Sequence, residues 1–372
     1  MIIDGIVYDF GSFDHPGGKT IVELFEKYGT PDQTMTFVSN HSRKFPHNRY
    51  EQYKIGTVED SGGNAPDYSD YLELIKEIRG IPRTPHFSWW PKMALLLSVN
   101  VMLNYSLYFR WSFENAMLLG WINALIGLNI QHDANHGSVA APFGLTQNLI
   151  GGSRRLWIIQ HMVKHHIHTN IMGKDPDTDG REILRLNDES KIRWYQALQH
   201  FYGFAGLPFF TYEILVGETV ECINKGYLFD IFTKTTFIYL NVIRPCVVHK
   251  VNFFLTQLPL MFTGGYLAFF FILSHNFDEV SEPTPQMSFV EHQISTSSNV
   301  GSHRLAWWNG GLNYQIEHHL FPRYHHSRYP AMAVKVKKWA SSKGYKYTHF
   351  PSLWDNIKST FRYLRKMGRK SP

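Results

Sequence analysis

The chain has 372 residues and a formal net charge of +6, and only 18% of its residues are charged. This length allows two or three domains, and an aromatic content of 15% supplies enough apolar surface to exclude global disorder. Two cysteines exclude a disulfide framework and a cysteine-rich zinc or iron–sulfur module. The basic charge suits a membrane surface, and we expect no nucleic-acid partner because no reader motif accompanies it. Histidine is unusually frequent, with 20 residues that occur in clusters.

Residues 1–58 are predicted to form a small α+β unit. An Asp-Gly pair predicts the turn of a β-hairpin, and residues 20–28 have the pattern of an amphipathic helix. In the HPGG motif that follows the hairpin, the proline and glycines favour a tight turn that directs the imidazole of His15 outward. His41 is the preferred second imidazole, with His47 as the alternative. Two axial imidazoles would bind one haem iron and leave no open site, as an electron carrier requires.

The rest of the chain is predicted to be a linker and pre-membrane helix over 59–90, followed by an all-α membrane domain over 91–372. Residues 60–66 have linker composition, and 201–216 are predicted to lie at the membrane interface. Four apolar stretches approach the roughly 20 residues that span a bilayer. They are residues 93–109, 116–130, 229–247 and 251–274. A buried helix pair is the alternative for the first two, because they contain several asparagines. Two hairpins would place all polar regions on one side, which the basic flanks predict to be cytosolic.

Three histidine clusters lie in the polar regions. They are His132 and His136, then His161, His165 and His166, and finally Gln315, His318 and His319. Spacing of four residues places two imidazoles on one helix face, as predicted for His132 with His136 and for His161 with His165. Seven histidines without a nearby cysteine exceed the needs of one zinc ion, and imidazole suits iron. The clusters therefore predict a non-haem diiron centre in a cytosolic, histidine-rich cap, with solvated surface histidines as the alternative.

The N-terminal segment resembles cytochrome b5 over about residues 2–58. The resemblance rests on the sequence DGxVYD at its start, on HPGG, on a His-Ser pair and on YxIG at its end. It implies that His15 and His41 are the axial ligands of haem b. Members of that family carry further residues before this point, including a first strand, so the unit corresponds to a truncated form of the domain.

The chain as a whole resembles the membrane fatty acyl desaturases, and among them the front-end group with a fused cytochrome b5-like domain. The order H-x3-H, H-x3-HH and Q-x2-HH carries this resemblance, together with the flanking sequences QHDxxHG, HHxxTN and GGLNxQIEHHLFP. It implies that the clustered histidines are diiron ligands, that His275 is a further ligand, and that Gln315 ligates or orients a neighbour. Three acidic residues are expected to orient ligand rings: Asp133, Asp177 and Glu317.

The same resemblance implies an oxygen-dependent enzyme in a multi-pass protein of the endoplasmic reticulum. Electrons would come from NADH through a cytochrome b5 reductase, and the substrate would be a polyunsaturated acyl-CoA or acyl-lipid that gains a cis double bond. Sphingolipid long-chain-base desaturases share the architecture, and hydroxylases share the metal chemistry. A non-catalytic membrane electron carrier and a zinc hydrolase are alternatives of other classes. The clusters do not distinguish the delta-4, -5, -6 and -8 positions.

Overall fold

The computed structural model describes residues 1–58 and 67–369, so the predicted linker at 60–66 lies outside the described residues. The elements of the first part are β1 (Ile2–Ile3), β2 (Ile6–Tyr8), α1 (Lys19–Tyr28), α2 (Thr34–His41), 3₁₀ turns at His47–Arg49 and Glu51–Tyr53, and β3 (Lys54–Thr57). The strands form an antiparallel sheet in the order β1-β2-β3. Asp4 and Gly5 both have positive φ, 49° and 75°, as a two-residue hairpin turn requires. The predicted hairpin and amphipathic helix are therefore confirmed.

From residue 67 onward the described chain is mainly helical, as predicted for this part. The α-helices are α3 (Ser69–Glu77), α4 (Trp89–Phe109), α5 (Phe113–Ile126), α6 (His132–Asn135), α7 (Thr146–Leu149), α8 (Arg154–Trp157), α9 (His166–His168), α10 (Gln199–Gly206), α11 (Phe210–Tyr212), α12 (Glu218–Lys225), α13 (Leu228–Ile238), α14 (Arg244–Val248), α15 (Phe253–His275), α16 (Phe289–Ser295), α17 (His303–Asn309), α18 (Gln315–Leu320), α19 (Tyr329–Lys343) and α20 (Leu353–Met367). The π-helices are Gly127–Gln131, Ile158–His165, Glu213–Gly217 and Tyr239–Ile243. Short 3₁₀ helices are Ala141–Leu145, Pro176–Thr178, Trp194–Leu198, Leu207–Phe209 and His326–Arg328. Two short strands, β4 (Asn299–Val300) and β5 (His349–Phe350), pair in parallel.

Among the described residues, one helix is long and apolar enough to cross a membrane, namely α15. It corresponds to the last of the four predicted spans. The other three predicted spans, which all lie within the described residues, do not form helices that are long and apolar enough to cross a membrane. Helix α4 covers the first stretch, but Asn100 and Asn104 interrupt its apolar sequence. The second stretch ends as α-helix at Ile126 and continues as a π-helix. The third is divided between α13, a π-helix and α14, and it contains the buried charges Asp230 and Lys234.

Helices α5 and α15 pack closely against each other, and each leads to a histidine of the predicted metal site. A Cβ atom at Gly120 of α5 would lie 2.5 Å from the carbonyl oxygen of Pro259 in α15, so glycine permits this approach. Thr263 of α15 also donates a hydrogen bond of 2.8 Å to the carbonyl oxygen of Gly120. The chain leaves α5 through a π-helix into α6, which begins at His132, while α15 ends at His275.

The N-terminal unit packs against the histidine-rich part of the helical region. Leu24 and Phe25 of α1 belong to one apolar cluster with side chains of the π-helix Ile158–His165. Lys225 at the end of α12 donates a hydrogen bond of 3.1 Å to the hydroxyl of Tyr28. The helix that carries the second histidine cluster is therefore also the surface on which the N-terminal unit rests.

Candidate metal centre

The fold brings all nine predicted metal ligands into one buried region. These residues lie on α6 and the residue after it, on the π-helix Ile158–His165 and the adjoining α9, at the end of α15, and on α18. Eight of the nine are buried, and His161 is partly buried. These residues are His132, His136, His161, His165, His166, His275, Gln315, His318 and His319. Residues almost two hundred positions apart thus meet in a part of the molecule that is largely closed to water.

The ligand atoms form two groups, in each of which all atoms lie within 4.8 Å of one another. The first group is His132, His136, His161 and His318, and the second is His165, His275 and His319. His166 also groups with His318 and His319, and therefore lies between the two. The side-chain nitrogen of Gln315 is 3.0 Å from Nε2 of His275 and 3.2 Å from Nε2 of His319, which places it with the second group.

The π-helix changes which members of the second cluster face each other. An α-helix would align His161 with His165, but the π-helix bonds residue i to residue i+5. Accordingly, Nε2 of His161 lies 3.2 Å from Nε2 of His166, whereas His165 faces His275 and His319. The rings of His161 and His165 still lie side by side, with centroids 5.4 Å apart as expected for one helix face, but each contributes to a different group.

The donor set fits two metal ions. Nε2 of His166 and Nε2 of His318 approach to 3.0 Å, which crowds two lone pairs unless a proton or a cation lies near them. Nε2 of His132 and both ring nitrogens of His136 are buried without a hydrogen-bond partner among the described residues. Burial also holds the pKa of His136, and likewise that of His318, well below the usual range, so the rings are neutral and can bind metal.

Asp175 orients His165. Both of its carboxylate oxygens lie 3.0 Å from Nδ1 of His165 and accept its proton, which leaves Nε2 free for a metal. Burial by itself would lower the pKa of His165, but the carboxylates of Asp175 and Asp177 outweigh it and raise that pKa to about 9. Asp177 is the more distant partner at 3.4 Å.

Neutral groups orient three other ligand rings. The amide oxygen of Gln293 accepts a hydrogen bond of 2.9 Å from Nδ1 of His319. The carbonyl oxygen of Thr296 accepts one of 3.0 Å from Nδ1 of His275, and Nδ1 of His318 lies 3.2 Å from the hydroxyl of Tyr329. Gln293, Thr296 and Tyr329 follow no histidine pattern, and no sequence signal indicated them.

Two of the predicted orienting carboxylates have other partners. Asp133 accepts a hydrogen bond of 2.6 Å from Nδ1 of His326 and lies 3.5 Å from His325. Glu317 accepts hydrogen bonds from Asn299 at 2.7 Å and from Tyr347 at 2.8 Å. Among the described residues, neither carboxylate contacts a ring of the nine, so these two expectations are wrong. Asp175, rather than its neighbour Asp177, is the main partner of His165.

The second predicted site, in the N-terminal unit, has two facing imidazoles. The ring centroids of His15 and His41 are 6.2 Å apart, with planes at 86°. A metal–imidazole bond is about 2 Å long, so this separation accommodates one ion between the inner ring edges. The carbonyl oxygen of Phe37 accepts a hydrogen bond from Nδ1 of His41 at 2.9 Å, which leaves Nε2 of His41 free.

His47, the alternative second ligand, is engaged elsewhere. Its Nδ1 lies 2.7 Å from the hydroxyl of Tyr8, and its Nε2 lies 3.0 Å from the carboxylate of Asp4. At His15, Nδ1 accepts a hydrogen bond of 3.0 Å from the backbone of Gly17. Binding of a metal through Nε2 of His15 therefore requires this imidazole to give up its remaining proton or to turn.

Residues 109–351 match the family model described as fatty acid desaturase. The chain belongs to the fatty acid desaturase family. Over 99% of its length and 90% of theirs, it is 38% identical to an acyl-lipid (7-3)-desaturase of Rebecca salina and 35% identical to one of Diacronema lutheri. An acyl-lipid (8-3)-desaturase of Physcomitrium patens is 29% identical over 99% of the chain and 88% of that protein.

These matches confirm the resemblance to front-end fatty acyl desaturases that the histidine motifs carry. The desaturase is an oxygen-dependent oxidoreductase of fatty acyl chains in a membrane-associated family. The sphingolipid alternative is not favoured, because the relatives carry the names of acyl-lipid desaturases. The buried histidine groups are compatible with a diiron centre in this desaturase.

Proposed function

We propose that this desaturase is a front-end enzyme that inserts a cis double bond into a polyunsaturated acyl chain carried by a membrane lipid. The observation that carries the proposal is the convergence of eight histidines into two adjoining groups of nitrogen donors, with Gln315 beside the second group. The first iron would be held by His132, His136, His161 and His318, and the second by His165, His275, His319 and Gln315, with His166 between them. The acyl-lipid carrier is supported by the relatives, which are named acyl-lipid desaturases.

The residues of the chain prepare this site in three ways. When bound, the two irons supply the dioxygen chemistry that removes hydrogen from an unactivated methylene, which side-chain acids and bases cannot do. Burial keeps imidazoles such as those of His136 and His166 neutral, so no proton has to leave these rings before a metal binds. Asp175, Gln293 and the carbonyl oxygen of Thr296 hold the Nδ1 protons of their ligand rings and aim the Nε2 atoms inward.

The membrane position is a further part of the proposal. Helices α4 and α15 expose large apolar side chains along their length, among them Val101, Met102, Phe254 and Phe262. Such a surface is unfavourable in water and favourable in lipid. The proposal places these apolar helix surfaces in the endoplasmic reticulum membrane, with the N-terminal unit and the histidine groups on the cytosolic side.

The electron supply completes the proposal. Residues 1–58 would bind haem b between His15 and His41, and electrons would reach it from NADH through a separate cytochrome b5 reductase. The facing imidazoles at 6.2 Å support this assignment, as does the engagement of His47 with other partners. A pair of axial histidines leaves no site for oxygen, which suits electron transfer.

Expression in yeast fed a panel of polyunsaturated fatty acids tests the activity. A new product, with its double bond located by mass spectrometry, should appear first in the lipid pool and not in the acyl-CoA pool. His318→Ala should abolish it, whereas His303→Ala is the matched control because His303 is exposed and outside both groups. Metal analysis should give two non-haem irons and one haem iron per chain. Zinc without haem would refute the proposal, and haem iron alone would indicate an electron carrier.

A further inference from the structure

Three arginines come together beside the two histidines of the N-terminal unit. Arg323 lies just after the third histidine cluster and is half-buried. The charged groups acting on it among the described residues are Arg83 and Arg43, both cations. Burial, followed by these two neighbours, lowers the pKa of Arg323. A half-buried cation that faces like charges is unfavourable unless an anion joins it.

The arginine cluster consists of Arg323, Arg83 and Arg43, and a hydrogen bond from Arg83 joins it to the segment that carries His41. Nη2 of Arg83 donates a hydrogen bond of 2.9 Å to the carbonyl oxygen of His41. The guanidinium of Arg83 lies 5.4 Å from the ring centroid of Tyr324, the residue after Arg323. Arg323 lies close enough to His15 and His41 that its charge acts on both rings.

The side chain of Arg323 also lies against the backbone that follows the first histidine cluster. A Cβ atom at Gly137 would lie 3.4 Å from Nε of Arg323 and 3.7 Å from its Nη2. Gly137 follows His136, a member of the first ligand group, and its φ of 79° favours glycine. Arg323 therefore lies beside the residue that follows a ligand of the first group.

We propose that the arginine cluster binds the carboxylates of the haem held by His15 and His41, and so fixes the carboxylate edge of the haem beside the first iron group. The inference rests on the proposed haem function. Haem b carries two carboxylates at one edge of the ring, and guanidinium groups bind carboxylates with paired, charge-assisted hydrogen bonds. A lipid phosphate is a less suitable occupant, because the cluster lies at the imidazole pair.

Haem bound in this way would also hold the N-terminal unit against the helical region. Arg83 and Arg323 belong to the helical region, whereas His15 and His41 belong to the N-terminal unit. A haem bound by both parts would link them in addition to the apolar contact of Leu24 and Phe25. Haem binding should therefore stabilise the interface between the two parts as well as the N-terminal unit itself, since a ligand of the docked state favours that state.

Esterified haem provides the test. The full chain is purified, stripped of haem and titrated with haem or with haem dimethyl ester, and binding is followed by the absorption spectrum of the bis-imidazole complex. The wild type should bind haem about tenfold more tightly than the ester, since the ester has no carboxylate charge. In Arg323→Gln the affinity for haem should fall about tenfold, while the affinity for the ester stays unchanged. Arg49→Gln, which removes an exposed charge of the N-terminal unit, is the matched control.

The outcomes separate the two levels of the proposal. If the wild type forms no bis-imidazole complex with either compound, the haem function itself is refuted. If it forms both complexes with equal affinity, haem binding stands and the carboxylate role of the arginine cluster is overturned, whatever the fate of the variants. A preference that survives in Arg323→Gln would overturn the role of Arg323. The wild-type comparison remains decisive even if Arg323→Gln does not fold.

Discussion

Asp175→Asn is expected to weaken iron binding at the second group without emptying the first. The carboxylate of Asp175 holds the Nδ1 proton of His165 with both oxygens at 3.0 Å. An asparagine has nearly the same shape but keeps one oxygen acceptor, and its NH2 group would face either Nδ1 of His165 or the backbone N–H of Asn170. The ring of His165 would then lose both its fixed orientation and much of its basicity.

The magnitude follows from the pKa of His165. Its rise from 6.5 to about 9 corresponds to about 3 kcal/mol of preference for a protonated ring over a neutral one. Only part of this preference passes to the metal, and the loss of such an orienting partner costs about 10–100-fold in metal affinity or activity. We therefore expect Asp175→Asn to lose about one iron per chain during dialysis against a chelator and to reduce product formation in yeast at least tenfold.

The neighbouring carboxylate gives the control. Asp177 lies 3.4 Å from Nδ1 of His165, and its side chain is 38% exposed, so Asp177→Asn should retain both irons and most of the activity. Because Asp175 also accepts a hydrogen bond from the backbone of Asp177 at 2.9 Å, thermal unfolding of both variants must be measured alongside. Full iron content and activity in a folded Asp175→Asn protein would refute the reasoning, and so would a larger loss in Asp177→Asn.

Three further changes test the surroundings of the site. Burial raises the pKa of Glu317 from 4.5 to about 7. The protonated side chain therefore contributes stability at low pH, and this contribution is lost as the pH rises through 7. The difference in Tm between Glu317→Gln and the wild type should accordingly shift in favour of Glu317→Gln from pH 5 to pH 8. Gly310→Ala should lower the Tm far more than Gly344→Ala, since both have positive φ but only a Cβ at Gly310 would overlap the carbonyl oxygen of Leu128. Nζ of Lys234 lies 2.7 Å from the carboxylate of Glu218. Lys234→Met removes this partner of a buried carboxylate and should lower the free energy of unfolding by about 3–5 kcal/mol. The double variant Lys234→Met/Glu218→Gln should recover part of this loss.

The sequence was sufficient to predict local features with their own chemical signature. The Asp-Gly turn has positive φ at both residues because few other pairs tolerate that conformation. The candidate ligands of the three histidine clusters could be named because the spacing of the histidines and the lengths of the apolar stretches are visible in short segments of sequence. The resemblance to the fatty acyl desaturases implied His275, which lies at the end of the apolar helix α15.

The remaining features depend on contacts between distant residues. Asp133 meets His326, almost two hundred positions away, instead of a neighbouring ligand. The pairing of His161 with His166 depends on a π-helix, and helix periodicity assumed from sequence is that of an α-helix. Lys234, in the third apolar stretch, is buried because it pairs with Glu218 of another helix. Each of these depends on packing, which a local pattern does not contain.

The π-helix Ile158–His165 connects the two halves of the proposed chemistry. Its apolar side packs on Leu24 and Phe25 of the N-terminal unit, while its polar side supplies ligands to both metal groups. Trp157, at its beginning, belongs to the same apolar contact and has its ring centroid 4.5 Å from that of His161 and 5.4 Å from that of His136. A protein interior is close-packed and transmits displacement, so separation of the N-terminal unit would also disturb the ligands. The proposed electron delivery and the proposed metal binding would therefore depend on one shared helix.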